Sequence, residues 1–139
     1  MYLRQIFLLV QRTRQEHSPT VTSYIQEEME YARRYFSEHY NEPISIEEYA
    51  QSRSMSVSWF QRNFKQFTNH SPTQYILMTR VNNAASLLES TDYNMTDIAA
   101  IVGYDDPLYF SRLFRKIKGM SPSQYRKLIE EKNASNPSK

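Results

Sequence analysis

Gln61, Arg62 and Arg112 are the side chains in this sequence best suited to reading a base edge. A glutamine pairs bidentately with adenine, and an arginine with guanine. At helical spacing around them stand Val57, Ser58 and Lys65 in one stretch, and Pro107, Leu108, Ser111 and Arg115 in another. The serines can hydrogen-bond to bases or to the backbone. Leu108 could lie against a thymine methyl, although an exposed leucine is common enough to need no role. Lys65, Arg115, Lys116 and Lys118 suit phosphates, where a flexible positive charge helps without reading sequence. For Arg62 and Arg112 a phosphate contact or a solvated surface charge is the competing reading.

Other chemistry is poorly supplied. His17, His39 and His70 fall in three separate contexts, with no cysteine and no His-x-x-x-His pair to build a metal site. Asp105 and Asp106 stand together at an expected helix start, where the helix dipole explains them. Glu27, Glu28, Glu30, Glu47 and Glu48 read as solvated helix surface. There is no glycine-rich phosphate loop, and no serine sits in a nucleophile turn. The expectation is a protein that is not an enzyme, with no catalytic residue, no metal and no cofactor.

The whole chain agrees with that. Its 139 residues, 40% of them hydrophobic, make one domain with or without an appendage. A domain of this size leaves little room for a large catalytic cleft. The net charge of +2 is small but unevenly spread. From Glu16 to Glu48 eight acids face two arginines, and from Tyr49 to Leu128 ten basic residues face five acids. A basic C-terminal part points to an anionic partner, most commonly nucleic acid. The lack of cysteine fits a reducing cytoplasm. Leu3 to Val10 is apolar, yet shorter than a membrane span and without a signal-peptide cleavage region, so no membrane association is expected.

The elements that must hold these residues read as all-helical, with only Gly103 and Gly119 as glycines. A first helix is expected over about Tyr24 to His39, burying Ile25, Met29, Ala32 and Phe36, and a short one from Ser45 to about Ser52. Then the sequence repeats itself. At an offset of 50, Phe60, Arg62, Phe64, Lys65, Asn69, Ser71, Pro72, Gln74 and Tyr75 meet Phe110, Arg112, Phe114, Arg115, Gly119, Ser121, Pro122, Gln124 and Tyr125. Ala50 meets Ala99 at 49, so the second turn carries one extra residue. So many pairs in one register mark an internal duplication.

Each copy parses as a short helix, a tight turn and a longer helix. Ser56 and Asp106 are placed to cap the longer helices, with Pro107 at a first helical position. Asn69 and Gly119 tolerate the left-handed conformation that ends them. The buried stripes are expected to be Phe60, Phe64 and Phe67, with Trp59 at the edge, and Phe110, Leu113, Phe114 and Ile117. Thr73 to Ser90 should form one connecting helix, about 27 Å long at 1.5 Å per residue. Tyr75 and Tyr125 recur at one point of the copies and are read as packing residues. The fold class expected is therefore all-α: two helix-turn-helix motifs joined by a long connecting helix, about seven helices, plus an N-terminal helical segment. An ordinary helical bundle fits the periodicity equally well, and a non-enzymatic protein-interaction domain with an incidental basic face is the alternative function. The duplication and the basic face favour DNA.

From Asp97 to Arg126 the chain closely resembles the signature of the AraC/XylS family of bacterial transcription regulators. The residues that carry the resemblance are Ile98 and Ala99; Val102, Gly103 and Tyr104; Asp106; Tyr109, Phe110, Ser111 and Arg112; and Gly119, Ser121, Pro122, Tyr125 and Arg126. The wider match runs from about Tyr24 to Ile129. It implies a seven-helix domain binding double-stranded promoter or operator DNA, with activation favoured over repression and RNA polymerase as a further partner. It also assigns groove contacts to Val57, Ser58, Gln61, Arg62 and Lys65, and to Pro107, Leu108, Ser111, Arg112 and Arg115. Arg80 resembles a frequent family arginine, read either as a phosphate contact or as a structural ion pair. The first copy departs from the pattern: Ser54 replaces a usual glycine, Arg53 a small or apolar residue, and Asn69 the glycine that ends the helix. These departures bear on how tightly the first turn closes.

Residues 1–20 are read as a helical segment and linker ending an upstream domain, with Leu3, Ile6, Phe7 and Val10 on one face. Residues 21–131 form the DNA-binding domain, and 132–139 a disordered tail. The chain is read as a fragment of a larger regulator, with a compact stand-alone member as the alternative. Self-association is expected to be weak or absent in this fragment, and a dimer is open for a longer protein.

Overall fold

The computed structural model describes residues 18–135, which form seven α-helices and no strand among them. They are α1 Ser18–His39, α2 Ile46–Ser52, α3 Val57–Thr68, α4 Pro72–Ser90, α5 Met95–Ile101, α6 Pro107–Lys118 and α7 Pro122–Ser135. The expected segment 1–17 and the tail 136–139 lie outside the described residues. Two boundaries differ from expectation. Helix α1 starts at Ser18 rather than near Tyr24, because Pro19 falls in a first turn that needs no N–H donor there. Helix α7 runs to Ser135, so residues 132–135 extend a helix instead of opening a tail.

The described chain divides into two compact units: residues through His39 with Ile44–Ile76, and Tyr40–Pro43 with Leu77 onward. Helix α4 passes from the first to the second. In the first unit Met29, Ala32 and Phe36 of α1 pack with Tyr49 and Ala50 of α2, Phe60 and Phe64 of α3, and Ile76. Phe36 meets Phe60 and Phe64 edge-to-face, with the ring centroids of Phe36 and Phe64 5.5 Å apart, and Phe60 and Phe64 meet each other at a tilt. Burial raises the pKa of the Tyr49 phenol, whose hydroxyl is buried without a hydrogen bond. In the second unit Val81, Ala84, Ala85 and Leu88 of α4 pack with Ile98, Ala99, Val102, Phe110 and Phe114.

The units are built on one plan, and the repeat is larger than the helix-turn-helix alone. At an offset of 52, Met29, Ala32 and Phe36 of α1 correspond to Val81, Ala84 and Leu88 of α4, all buried. The Tyr75 hydroxyl lies 3.0 Å from the Ser37 Oγ, and the Tyr125 hydroxyl donates to Glu89 at 3.0 Å. Ser37 and Glu89 share that same offset. The Phe64–Tyr75 and Phe114–Tyr125 rings meet edge-on, both with centroids 5.6 Å apart. Both tyrosines are packing residues, as the repeat implied. Each unit is thus a long helix, a helix-turn-helix and the start of a following helix.

Candidate nucleic-acid interface

In the first motif backbone bonds close the turn. After α2, Ser54 N–H donates to Gln51 O at 3.0 Å, and Met55 N–H to Ala50 O at 2.8 Å. Ser54 takes the left-handed φ of 59° that a glycine would adopt freely. The second motif repeats these bonds 49 residues on: Gly103 N–H to Ala100 O at 3.1 Å, Tyr104 N–H to Ala99 O at 2.8 Å. Its Gly103 has φ 106°. The serine therefore leaves the first turn as tight as the second, at the expense of local strain. A latch absent from the sequence reading holds that turn as well. Arg53 donates Nε and Nη2 to the Glu28 carboxylate at 3.1 and 2.8 Å, and lies 4.2 Å above the Tyr31 ring. Its Glu28 hydrogen bond raises the Arg53 pKa.

The longer helices begin on their caps. The Ser56 Oγ accepts from Trp59 N–H at 3.1 Å. The Asp106 Oδ1 accepts from Leu108 N–H at 3.0 Å and Tyr109 N–H at 3.3 Å, and Pro107 takes the first helical position. Asn69 and Gly119 end them at φ 68° and 80°, donating to Lys65 O and Arg115 O. Acids at the start of α6 and Arg115, Lys116 and Lys118 in its last turn thus both suit the helix dipole.

Phe60 and Phe64 are fully buried on one side of α3, and Phe110 and Phe114 on one side of α6. Opposite them, spaced three, four and seven residues from the first, run Ser58, Gln61, Arg62 and Lys65, all exposed. The equivalent stripe on α6 is Leu108, Ser111, Arg112 and Arg115, exposed except for the half-buried Ser111. Arg62, Lys65, Arg112, Arg115 and Lys116 make no ion pair with another described residue. Val57 and Pro107 are half-buried at the helix starts, with Val57 packed against the first core. Lys116 is exposed and Lys118 half-buried.

Three aromatic or basic side chains depart from their expected places. Phe67, expected in the buried stripe, is 37% exposed, because the core has ended by the last turn of α3. There it lines an open groove of about 670 Å³ with Glu28, Tyr31 and Arg53. Tyr109, part of the family signature but given no site role from the sequence, is 50% exposed at the start of α6. Arg80 forms no ion pair with a described residue. Its Nε donates to Tyr40 O at 2.6 Å and its Nη2 to Glu42 O at 2.9 Å, and it stacks 4.9 Å from the Tyr104 ring. Arg126 does similar work at the end of α4, donating to the carbonyls of Leu88, Thr91 and Tyr93. Among the described residues no cluster of histidine, aspartate or glutamate could hold a metal ion. None of the described helices is long and apolar enough to cross a membrane.

Comparison with known proteins places this geometry. A family model described as a helix-turn-helix domain matches residues 49–128. The uncharacterized HTH-type transcriptional regulator YisR of Bacillus subtilis is 39% identical over 101 residues, which are 73% of this chain and 35% of YisR. The lactose operon transcription activator of Staphylococcus xylosus is 33% identical over 118 residues, 82% of this chain and 42% of the activator. The chain therefore spans well under half the length of these curated relatives. Among solved structures, the C-terminal domain of AraT, a response regulator from Geobacillus stearothermophilus, superposes with a TM-score of 0.69 at 35% identity. That match covers 72% of this chain and 84% of the domain. The DNA-binding domain of AdpA, a global transcriptional factor solved with a target DNA, gives 0.70 at 30% identity, covering 80% and 97%.

Proposed function

From the premise that the chain belongs to the AraC-type helix-turn-helix transcription regulators, we propose that α3 and α6 read two successive major-groove segments of one duplex. On α3 the contacts fall to Ser58, Gln61, Arg62 and Lys65, with Val57 at the helix start. On α6 they fall to Leu108, Ser111, Arg112 and Arg115, with Pro107 at the start. Lys116 and Lys118 hold phosphates. Arg80 supports the site by pinning the carbonyls after α1, and its remaining charge adds to the phosphate field.

The observation that supports this reading is the repeated stripe. Two capped helices each set hydrogen-bonding and cationic side chains against a buried phenylalanine pair, in the same register. Such a surface matches the groove edges and backbone of DNA, not an acidic metabolite held by a single pocket. The natural protein acts as an activator in the cytoplasm, presenting a surface to RNA polymerase once bound. Relatives named as activators support that direction. Any small-molecule control belongs to residues beyond this helical domain.

A competition gel shift with genomic fragments tests the proposal. Saturable binding to one upstream region that resists excess random duplex is expected. The absence of such binding across promoters of the source genome would overturn the proposal, with a protein-interaction domain as the alternative.

A further inference from the structure

The two reading stripes differ most at their first position. Ser58 on α3 corresponds to Leu108 on α6, and Leu108 is 70% exposed. Every other large hydrophobic exposed among the described residues lies between 37% and 50%. Leu108 does not pack into the second core, whose members from α6 are Phe110 and Phe114, with Ile117 against them. Its backbone N–H is held by Asp106, so the helix start beneath it is fixed. The side chain is therefore presented by a rigid turn yet adds nothing to burial within the fold.

Its neighbours on the stripe decide what it can meet. Ser111, Arg112 and Arg115 follow at three, four and seven residues, so a surface that engages them also covers Leu108. Major-groove base edges present hydrogen-bonding atoms at every position and one apolar group, the C5 methyl of thymine. A leucine set against adenine, guanine or cytosine desolvates donors and acceptors without replacing their bonds, an unfavourable exchange. Against thymine it buries methyl on methyl. We infer that Leu108 is a specificity residue that selects thymine in the half-site read by α6. At the matching place on α3 stands Ser58, whose hydroxyl offers no comparable apolar surface. The inference rests on the DNA-reading role proposed above.

The experiment starts from the preferred duplex selected by the intact chain from a random library. Each thymine is replaced singly by deoxyuridine, which removes only the methyl. One position should show about fourfold weaker binding, the worth of one buried carbon. Arg112→Ala assigns the half-site, because its own loss of base preference should fall beside that thymine. Leu108→Ala, at an exposed position that leaves the melting temperature unchanged, should bind the thymine and uracil duplexes equally. Uniform tolerance of uracil, or a uracil penalty that survives in Leu108→Ala, overturns the assignment while leaving DNA reading intact. Failure of any duplex to emerge from selection overturns both together.

Discussion

Arg62 and Lys116 carry the same formal charge and should behave differently. Arg62 sits mid-stripe on α3 between Gln61 and Lys65, free of ion pairing with any described residue. Its planar guanidinium can grip the O6 and N7 of a guanine together. Lys116 lies in the last turn of α6, off the stripe, where a point charge suits a phosphate. Arg62→Ala should relax preference at one base position, at a cost of about 1–3 kcal/mol against the preferred pair. Lys116→Ala should weaken related and unrelated sites alike and lower the salt dependence by at most about one counterion. Binding of all single-base site variants to both proteins checks this. An unchanged ranking with Arg62→Ala would move Arg62 among the phosphate contacts and leave Gln61 as the base reader of α3. The stripe residues could be picked from sequence because helical spacing alone separates them from Phe60 and Phe64. Tyr109 could not, because its neighbour Phe110 is buried and only the packed fold shows that Tyr109 lies on the open side.

At the scale of elements, what could be read in the sequence was local and what could not was distant. The caps Ser56 and Asp106 and the left-handed stops Asn69 and Gly119 each depend on bonds within four residues, so their chemistry is visible in one short stretch. The Arg53–Glu28 latch spans 25 residues, and the Arg126 bond to Leu88 O spans 38. No periodicity announces such partners. The equivalence of α1 and α4 was hidden for another reason. Only Ala32 and Ala84 match in type among its buried pairs, because burial constrains volume and polarity more than identity. Glycine gives the sharpest test of this level. A Cβ on Gly103 would stand 2.9 Å from the Asn41 backbone oxygen, and its φ of 106° disfavours any side chain. A Cβ on Gly119 would meet nothing within 4 Å, leaving only its φ of 80° to be strained. Gly103→Ala should therefore lose about 2–3 kcal/mol of stability and Gly119→Ala about 1 kcal/mol. Ser54→Gly, relieving the same strain in the first turn, should gain a few tenths of a kcal/mol, up to about 1. Urea midpoints for the three variants decide it. A Gly103→Ala loss no larger than that of Gly119→Ala would mean that the segment near Asn41 gives way.

At the scale of the whole molecule, two helix-turn-helix units stand in one chain, each with its own core, and on the proposed reading this sets what the chain recognises. A dimer of single motifs reads a palindrome because its halves are identical. Here the halves differ, with Ser58, Gln61 and Lys65 in one and Leu108, Ser111 and Arg115 in the other, so one chain suffices for an asymmetric site. Self-association should then be dispensable for single-site binding. Removing residues 1–15 should abolish any weak association seen by sedimentation while leaving single-site affinity nearly unchanged. A tenfold loss of affinity with both proteins folded and monomeric would assign that segment to the DNA-binding unit. The connecting helix α4, 19 residues long, spans about 28 Å. Major-groove segments one helical turn apart lie roughly 34 Å from each other along one face of DNA. Footprinting of the monomer should therefore show about 15 to 20 base pairs protected, in two unlike halves. Arg62→Ala should thin protection in one half and Arg112→Ala in the other if, as proposed, each helix reads its own segment. Protection confined to a single groove segment, unaffected by one of the two substitutions, would leave one copy as scaffold and the other as the only reader.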